Sequence, residues 1–419
     1  MRGLVWATPG QLDAGFASLA TFGAGIYAVR ELSTEALAAY ALLFAAFHFA
    51  NQFSSELFMS PAQILAIDLE LSHRLGMLRH SLPLGAGVAG IAAFVVPLGA
   101  LPVFSVLSPA ELIPLVISVA ILAAISPIQD HVRAMFHLSS RSWVAAGMSA
   151  LHLVVTLIAI FAFSRRLPAW TPFGALASGN VASLGFALAV FRRINPPRSA
   201  RPTVRQFTSI GSWMLFTDLI KNGLGYAGRA LLNAFLGAAA LGFVEGARVA
   251  AQPLNVLALG LMAQVGPRLT EAGSRRDLML AKRWRTRFYI LFGAIALVFI
   301  AICAVPWSLN PLVRLTPRAF EIPGLTAAML VATTINCLLR PFRTELFGAR
   351  QLKLVTRVAI GTGIVEIALL LAWSLLGTFV VPLGISIAAI VGALVFRRRL
   401  KAIYASSSIG PLEKNLERT

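Results

Sequence analysis

The chain has 419 residues, of which 58% are hydrophobic and only 13% are charged. Soluble domains carry about 25% charged residues, so a water-soluble fold of this size would have too few polar side chains to cover its surface. The two cysteines, Cys303 and Cys337, lie in apolar runs and offer neither a disulfide framework nor a metal-ligand spacing. The composition therefore predicts a polytopic membrane protein.

Apolar stretches of roughly 20 residues, the length that crosses a hydrocarbon core, recur along the whole chain. They predict about twelve transmembrane helices, near 10–29, 36–58, 83–105, 112–129, 143–163, 172–191, 210–235, 238–264, 287–306, 322–339, 357–376 and 378–396. We expect an all-α fold with an N-terminal six-helix bundle (1–194), a cytoplasmic linker (195–209) and a C-terminal six-helix bundle (210–401). The polar tail, 402–419, is predicted to be disordered.

The basic residues are distributed unevenly between the two sides of these helices. Of the 36 Lys and Arg residues, 28 fall in the loops and termini of one side and five in the loops of the other. This excess predicts that both termini and the basic loops are cytoplasmic, in a cell membrane. The formal net charge of +19 is then a topology signal with some attraction to anionic lipid, and no nucleic-acid partner is expected.

The two halves of the chain resemble each other at a nearly constant offset. Asp13 corresponds to Asp218 at an offset of 205, and Arg133 corresponds to Arg343 at an offset of 210. Both halves begin on the same side of the membrane, so the repeat is parallel, about an axis along the membrane normal. Proteins built in this way place substrate at the interface of the repeats. The repeat therefore predicts a transporter architecture.

One stretch of the second half carries a family likeness. Between residues 228 and 271 lie an LGxxxLG turn, an ARVAAQPL centre and a PRL exit, and the first half agrees more weakly at AVRELSTEALAAYAL (28–42). These features resemble helices seven and eight of the polysaccharide flippases, of the O-antigen and teichoic type. That family belongs to the multidrug/oligosaccharidyl-lipid/polysaccharide exporter superfamily.

The resemblance implies that the chain moves a polyprenyl-diphosphate-linked oligosaccharide from the cytoplasmic to the outer leaflet by alternating access, without breaking a bond. Its partners would be the lipid-linked glycan, membrane lipids, H+ or Na+, and polysaccharide assembly proteins. Drug–cation antiporters of the same superfamily are closer in length and are the alternative. A membrane-embedded enzyme is a third hypothesis. The sequence contains no P-loop, no HExxH and no Cys/His cluster, which favours a non-enzyme without a cofactor or metal.

The seventh predicted span contains three ionisable residues, each of which needs a reason because a charge at the bilayer centre costs about 2.5–3.5 kcal/mol. Asp218, Lys221 and Arg229 share one narrow helical stripe. Arginine binds phosphate oxygens with a planar fork and stays charged when desolvated, so Arg229, with Lys221, is a candidate to bind the diphosphate. Alternatively, Asp218 and Lys221 form an ordinary ion pair. Arg229 has no acid one turn away.

The eighth predicted span repeats this pattern with Glu245, Arg248 and Gln252 on one face. Arg248 is the second candidate to bind the diphosphate, and Gln252 is a candidate glycan contact. The alternative is that Glu245 and Arg248, three residues apart, neutralise each other as an ion pair.

Further polar residues lie in the first half. In drug antiporters of the superfamily an acid in the first helix serves cation coupling, so Asp13 is the candidate proton or sodium site, with Asp218 and Glu245 as further coupling or charge partners. The alternative is a helix-start residue favoured by the helix dipole. A polar face of the second span is a candidate to bind sugar hydroxyls or to hydrogen-bond other helices; its members are His48, Asn51, Gln52 and Glu56.

Two arginines, Arg133 and Arg343, end the fourth predicted span of each half. They are expected to contribute to topology and to a cytoplasmic gate.

Overall fold

The computed structural model describes residues 9–67, 69–104, 107–197, 202–372 and 374–408. Over these residues the chain is helical and contains no β-strand. The helices of the described residues are α1 (Pro9–Glu31), α2 (Thr34–Ser54), α3 (Ser60–Ile67), α4 (Leu71–Arg74), α5 (Leu78–Val95), α6 (Pro109–Leu138), α7 (Ser142–Phe163), α8 (Thr171–Ile194), α9 (Val204–Arg275), α10 (Leu278–Cys303), α11 (Pro311–Leu315), α12 (Leu325–Leu338), α13 (Arg340–Gly348), α14 (Leu352–Ala372) and α15 (Val380–Ser408). Short 3-10 and π turns connect some of them, among them the 3-10 segment Val96–Val103.

Within the described residues, eleven segments are long and apolar enough to cross a membrane, and one of them, Val204–Met262, has 59 residues. A continuous helix of that length would extend about 88 Å at about 1.5 Å per residue, roughly three times the hydrocarbon core. It is broken at Gly237, where φ is 87° and ψ is 166°, a conformation that glycine adopts without steric cost. The predicted seventh and eighth spans meet at this break, so each of the twelve predicted spans overlaps one of the eleven segments.

Several helices extend beyond the predicted spans at ends where basic residues accumulate. α6 continues to Leu138 and α15 to Ser408. Hydropathy ends a span at its first charged residues, whereas the backbone stays helical as those side chains reach into solvent. The first residues of the tail that the sequence predicts to be disordered are therefore helical, and residues 409–419 lie outside the described part of the chain.

The chain divides into two compact units. The first contains the described residues up to Val249 together with Leu315–Glu321, and the second contains Ala250–Arg314 and the described residues from Ile322 onward. The division falls within α9 and not in the predicted linker, 195–209. The two predicted six-helix bundles, with the boundaries that the sequence suggests, stay a prediction.

Local contacts explain why the beginning of α9 belongs to the first unit. Tyr226 donates its hydroxyl to the carbonyl of Gly99 at 3.3 Å, and Asn233 Nδ2 donates to the carbonyl of Pro102 at 3.0 Å. Both acceptors lie in the 3-10 segment Val96–Val103. Elsewhere in this unit α7 packs against α1 and α8, and α6 packs against α5 and α8, so that side chains of α1, α6 and α7 meet.

In the second unit α15 packs against α12 and α14, and α9 crosses α13 at two glycines. A Cβ at Gly273 would lie 2.0 Å from the Glu345 carbonyl oxygen, and one at Gly348 would lie 2.1 Å from that of Thr270. Only glycine permits this approach. The carboxylate of Glu345, which is fully buried, accepts a hydrogen bond from the Tyr404 hydroxyl and lies 3.4 Å from Arg285 Nε.

Candidate functional site

A group of charged side chains lies on α9, on both sides of the break at Gly237. Glu245 is 1% exposed. Its carboxylate accepts two hydrogen bonds from Arg248, one turn further along, of which the bond from Nε measures 2.8 Å and the other comes from Nη2. Arg229 Nε lies 4.0 Å from the same carboxylate. We refer to Arg229, Glu245 and Arg248 as the arginine cluster.

The break at Gly237 brings these residues together. Arg229 lies 16 residues before Glu245, a distance of about 24 Å along an unbroken helix, yet the two side chains meet because the chain changes direction between them. Arg229 Nη1 also donates to the carbonyl of Gly225 at 3.0 Å, which orients its guanidinium. No acid lies one helical turn from Arg229 in the sequence, and Glu245, on the other side of the break, is its partner instead. The predicted Glu245–Arg248 ion pair is formed.

Aromatic side chains of α2 and α8 lie beneath the arginine cluster. The guanidinium carbon of Arg248 lies 5.8 Å from the ring centre of Phe44, within range of a cation–π interaction. Phe44 stacks on Tyr40, and Tyr40 stacks on Phe173 with ring centres 4.8 Å apart. The ring that Arg248 lies over is thus itself packed in a stack of three aromatic rings. Two guanidinium groups share one carboxylate, which gives the cluster a net charge of +1.

A second group of charged side chains joins α1, α6 and α7 in the same unit. Asp13 is 7% exposed and accepts hydrogen bonds from Ser149 Oγ at 2.5 Å and His137 Nε2 at 2.9 Å. Arg133 Nε lies 3.7 Å from it. Arg133 also donates through Nη2 to Asp130 at 2.9 Å and through Nη1 to Ser149 at 3.2 Å. We refer to these five residues as the acid cluster.

The acid cluster has the opposite electrostatic character. Its two carboxylates and one guanidinium give a net charge of −1, apart from the His137 imidazole. The cluster therefore has the charge to take up one proton or one monovalent cation. Asp13 contacts side chains of two other helices. These contacts are not explained by the alternative role of a helix-start residue, which would involve only its own helix.

Sequence reasoning found only part of this cluster. It proposed Asp13 for ion coupling and Arg133 for a gate, and the structure brings the two side chains together. It missed His137 and Ser149. The available signal was the spacing of Arg133 and His137, which are four residues apart and so share one face of a helix. His137 lies beyond the end of the predicted span, so hydropathy gave no reason to place it in the protein interior.

The other predicted site residues are not members of either cluster. Gln52 donates to the carbonyl of His48 at 3.1 Å, and Glu56 accepts from Ser60 at 3.4 Å, so part of the polar face of α2 bonds to its own chain. Asn51 is buried, at 9% exposed. The side chain of Lys221 lies outside the described residues, so its predicted pairing with Asp218 is not described.

Two predicted site residues, Gln252 and Arg343, belong to the second unit. The Arg343 guanidinium lies 5.3 Å from the ring centre of Phe347 on its own helix. Across the described part of the chain, no three His, Cys, Asp or Glu side chains converge on a position that would hold a metal ion.

Comparisons with known proteins show what the chain is similar to. No protein-family model matches it, and no curated protein does. Solved structures do match. An inward-facing multidrug resistance MATE family transporter of the MOP superfamily has a TM-score of 0.69 at 16% identity, covering 93% of this chain and 96% of its own.

Two further structures agree with that match. The lipid II flippase MurJ, in an inward closed conformation, has a TM-score of 0.66 at 14% identity, covering 95% of this chain and 90% of its own. An outward-facing MATE transporter has a TM-score of 0.59 at 17% identity, covering 95% and 96%. The chain shares the fold of these membrane transporters. At such identities the likeness shows the fold alone, and it confirms the predicted all-α polytopic class.

Proposed function

We propose that the chain translocates a polyprenyl-diphosphate-linked oligosaccharide from the cytoplasmic to the outer leaflet, by alternating access and without breaking a bond. The observation that carries this proposal is the arginine cluster, in which two guanidinium groups share the single buried carboxylate of Glu245. A positively charged group inside a membrane-spanning protein costs free energy, so its presence there indicates a function. An anionic substrate that crosses the membrane supplies such a function.

The geometry of the cluster suits a diphosphate. Arg248 directs Nε and Nη2 at Glu245, and its side chain stays 36% exposed; that of Arg229 is 25% exposed. Each guanidinium is therefore held by Glu245 and can still be reached by a ligand. Guanidinium groups bind phosphate oxygens bidentately and remain charged when water is removed. A cationic drug at the same place would meet a net positive charge.

The second candidate function is that of a cation-coupled antiporter of drugs or organic cations. The acid cluster favours it, because a buried carboxylate bound to an imidazole has the charge to exchange a proton or a sodium ion. Two of the similar structures are multidrug resistance transporters by their own description. A flippase driven by H+ or Na+ would use the same cluster, so the two candidates differ in what the arginine cluster binds.

The test is the fate of the polyprenyl-linked glycan in a strain that lacks this chain, with efflux of a cationic dye scored in parallel. We expect the glycan-lipid to accumulate on the cytoplasmic leaflet, the surface polymer to be lost and dye efflux to be unchanged. Normal glycan with increased retention of the dye would overturn the flippase proposal and support the antiporter.

Complementation of that strain links the result to the site. Arg229→Gln at normal protein level is expected to restore no export. Arg268→Gln is the matched control, because Arg268 lies on the same helix, is 59% exposed and pairs with Glu271 at 3.0 Å; it should restore export fully. Export by the Arg229→Gln variant at the level of the control would contradict the assignment of Arg229.

The proposal also includes the setting that the sequence predicts. The chain would lie in the cell membrane with both termini cytoplasmic, and polysaccharide assembly proteins would supply and receive its substrate. Support comes from the eleven apolar segments of the described residues and from the side on which the basic residues accumulate.

A further inference from the structure

An apolar groove of about 220 Å³ lies in the first unit, between α2, the 3-10 segment Val96–Val103 and α9. Its lining includes Phe49, Ala50, Val95, Leu98, Gly223 and Tyr226. The hydroxyl of Tyr226, the polar side-chain group of this lining, is directed at the carbonyl of Gly99. The groove therefore suits a hydrocarbon and offers nothing to a sugar or an ion.

Gly223 keeps the groove open without being needed for close packing. A Cβ at this position would lie 3.4 Å from Phe49 Cε2, which is van der Waals contact and not a clash. Glycine within a helix is less stable than alanine, so the sequence gives up helix stability here. What it gains is space, because any larger side chain would extend from this position into the groove.

The groove and the arginine cluster are neighbours on two helices. On α9, Tyr226 lines the groove and Arg229 follows one turn later, so their side chains lie close together. On α2, Phe44 lies under the guanidinium of Arg248, and Phe49, which lines the groove, lies about 7.5 Å further along the helix axis. An apolar site and a site of net positive charge thus adjoin within one unit.

We propose that this groove holds a segment of the isoprenoid chain of the substrate while the arginine cluster binds its diphosphate. The inference rests on the proposed function and names the part of the substrate that the groove recognises. An apolar chain joined to an anionic group is the ligand whose chemistry matches both sites at once. The groove is smaller than the 300–1,000 Å³ or so of a site that encloses a drug-sized molecule, so it holds a stretch of chain. Val95 and Leu98 are half exposed at its edge, where the rest of the chain would pass into the bilayer.

The experiment compares two ligands on the purified full-length protein in detergent. One is a glycosyl diphosphate with a long polyprenyl chain, and the other is the same glycosyl diphosphate with a methyl group in place of that chain. Gly223→Leu is expected to weaken binding of the long-chain ligand by about tenfold or more, because each buried methylene contributes to affinity, and to leave binding of the methyl ligand unchanged. Gly228→Leu is the matched control, since a Cβ there meets nothing within 4 Å; it should change neither affinity.

A second variant guards against misfolding. Leu98→Trp fills the groove from its exposed edge and should have the same selective effect. If both variants bind the long-chain ligand as tightly as the wild type, or weaken both ligands equally, the groove does not recognise the chain. That outcome leaves the proposed function standing as long as the wild type binds the methyl ligand. A wild-type protein that binds neither ligand would overturn the proposed function and the groove together.

Discussion

The arginine cluster and the acid cluster are built around the same chemical group and have opposite charge. Each centres on one buried carboxylate, Glu245 at 1% exposed and Asp13 at 7%. Glu245 is shared between two guanidinium groups, whereas Asp13 shares one guanidinium with a second carboxylate and accepts hydrogen bonds from a serine and a histidine. A buried acid therefore does not by itself indicate an ion site. The groups around the carboxylate determine whether it holds arginine side chains in place or binds a cation from solution.

This difference suggests a division of roles within the first unit. At Glu245 the carboxylate has two strong cationic partners and holds them in place for an anionic ligand. At Asp13 two carboxylates share one guanidinium, so the cluster has a negative charge left to receive a cation. Each role can be tested by removing the carboxylate and by removing a partner, and the two clusters should respond differently.

The largest effect is expected from Glu245→Gln. Removing the one carboxylate leaves two guanidinium groups without their common partner, and loss of one member of a buried ion pair costs about 3 kcal/mol or more of folding free energy. The thermal unfolding midpoint of the purified protein in detergent should fall clearly. The double variant Glu245→Gln/Arg248→Gln should recover part of the loss, because it removes a charge of each sign. A double variant less stable than the single one would contradict the assigned pairing.

Asp13→Asn should have its main effect on energy coupling. The amide keeps the size of the side chain and removes the negative charge that binds His137, so transport driven by an imposed H+ or Na+ gradient in proteoliposomes should fall about tenfold or more, which corresponds to roughly 1.4 kcal/mol. Glu31→Gln is the matched control, since Glu31 lies on the same helix as Asp13, is 49% exposed and pairs with Arg30 at 3.3 Å; its loss should change driven transport little. Gradient-driven transport that survives in Asp13→Asn would exclude the acid cluster as the coupling site.

A smaller effect is expected from Ser149→Ala. This change removes the hydroxyl that donates to Asp13 and accepts from Arg133, and hydrogen bonds to charged groups contribute about 1.5–3 kcal/mol. The thermal midpoint should fall by less than in Glu245→Gln. Ser178→Ala is the control, because the Ser178 hydroxyl donates to the Gly174 carbonyl of its own helix at 2.9 Å. Equal midpoints for the two serine variants would show that Ser149 does not hold Asp13.

The sequence predicts the fold better than it predicts the site, and particular residues show why. Membrane spans are local properties of about 20 residues, so hydropathy found all twelve, and the break between the seventh and eighth lies at Gly237 as expected. The Glu245–Arg248 ion pair could also be predicted from the sequence, because its members are three residues apart on one helix. The contact of Arg229 with Glu245 depends on a change of chain direction, and that of Asp13 with Ser149 joins residues 136 apart. Such contacts depend on how helices pack, which periodicity does not encode.

The most direct test of the central claim is the affinity of the purified protein for a soluble glycosyl diphosphate as the charge of the arginine cluster is changed. Arg229→Gln lowers the net charge from +1 to zero, and we expect it to weaken binding by about tenfold or more, since a charge-assisted contact to phosphate is lost. Arg268→Gln, which removes an arginine that is 59% exposed and pairs with Glu271, should bind within about threefold of the wild type. Undiminished binding by Arg229→Gln, or tighter binding of an organic cation than of the diphosphate by the wild type, would contradict the claim that this cluster recognises an anionic substrate.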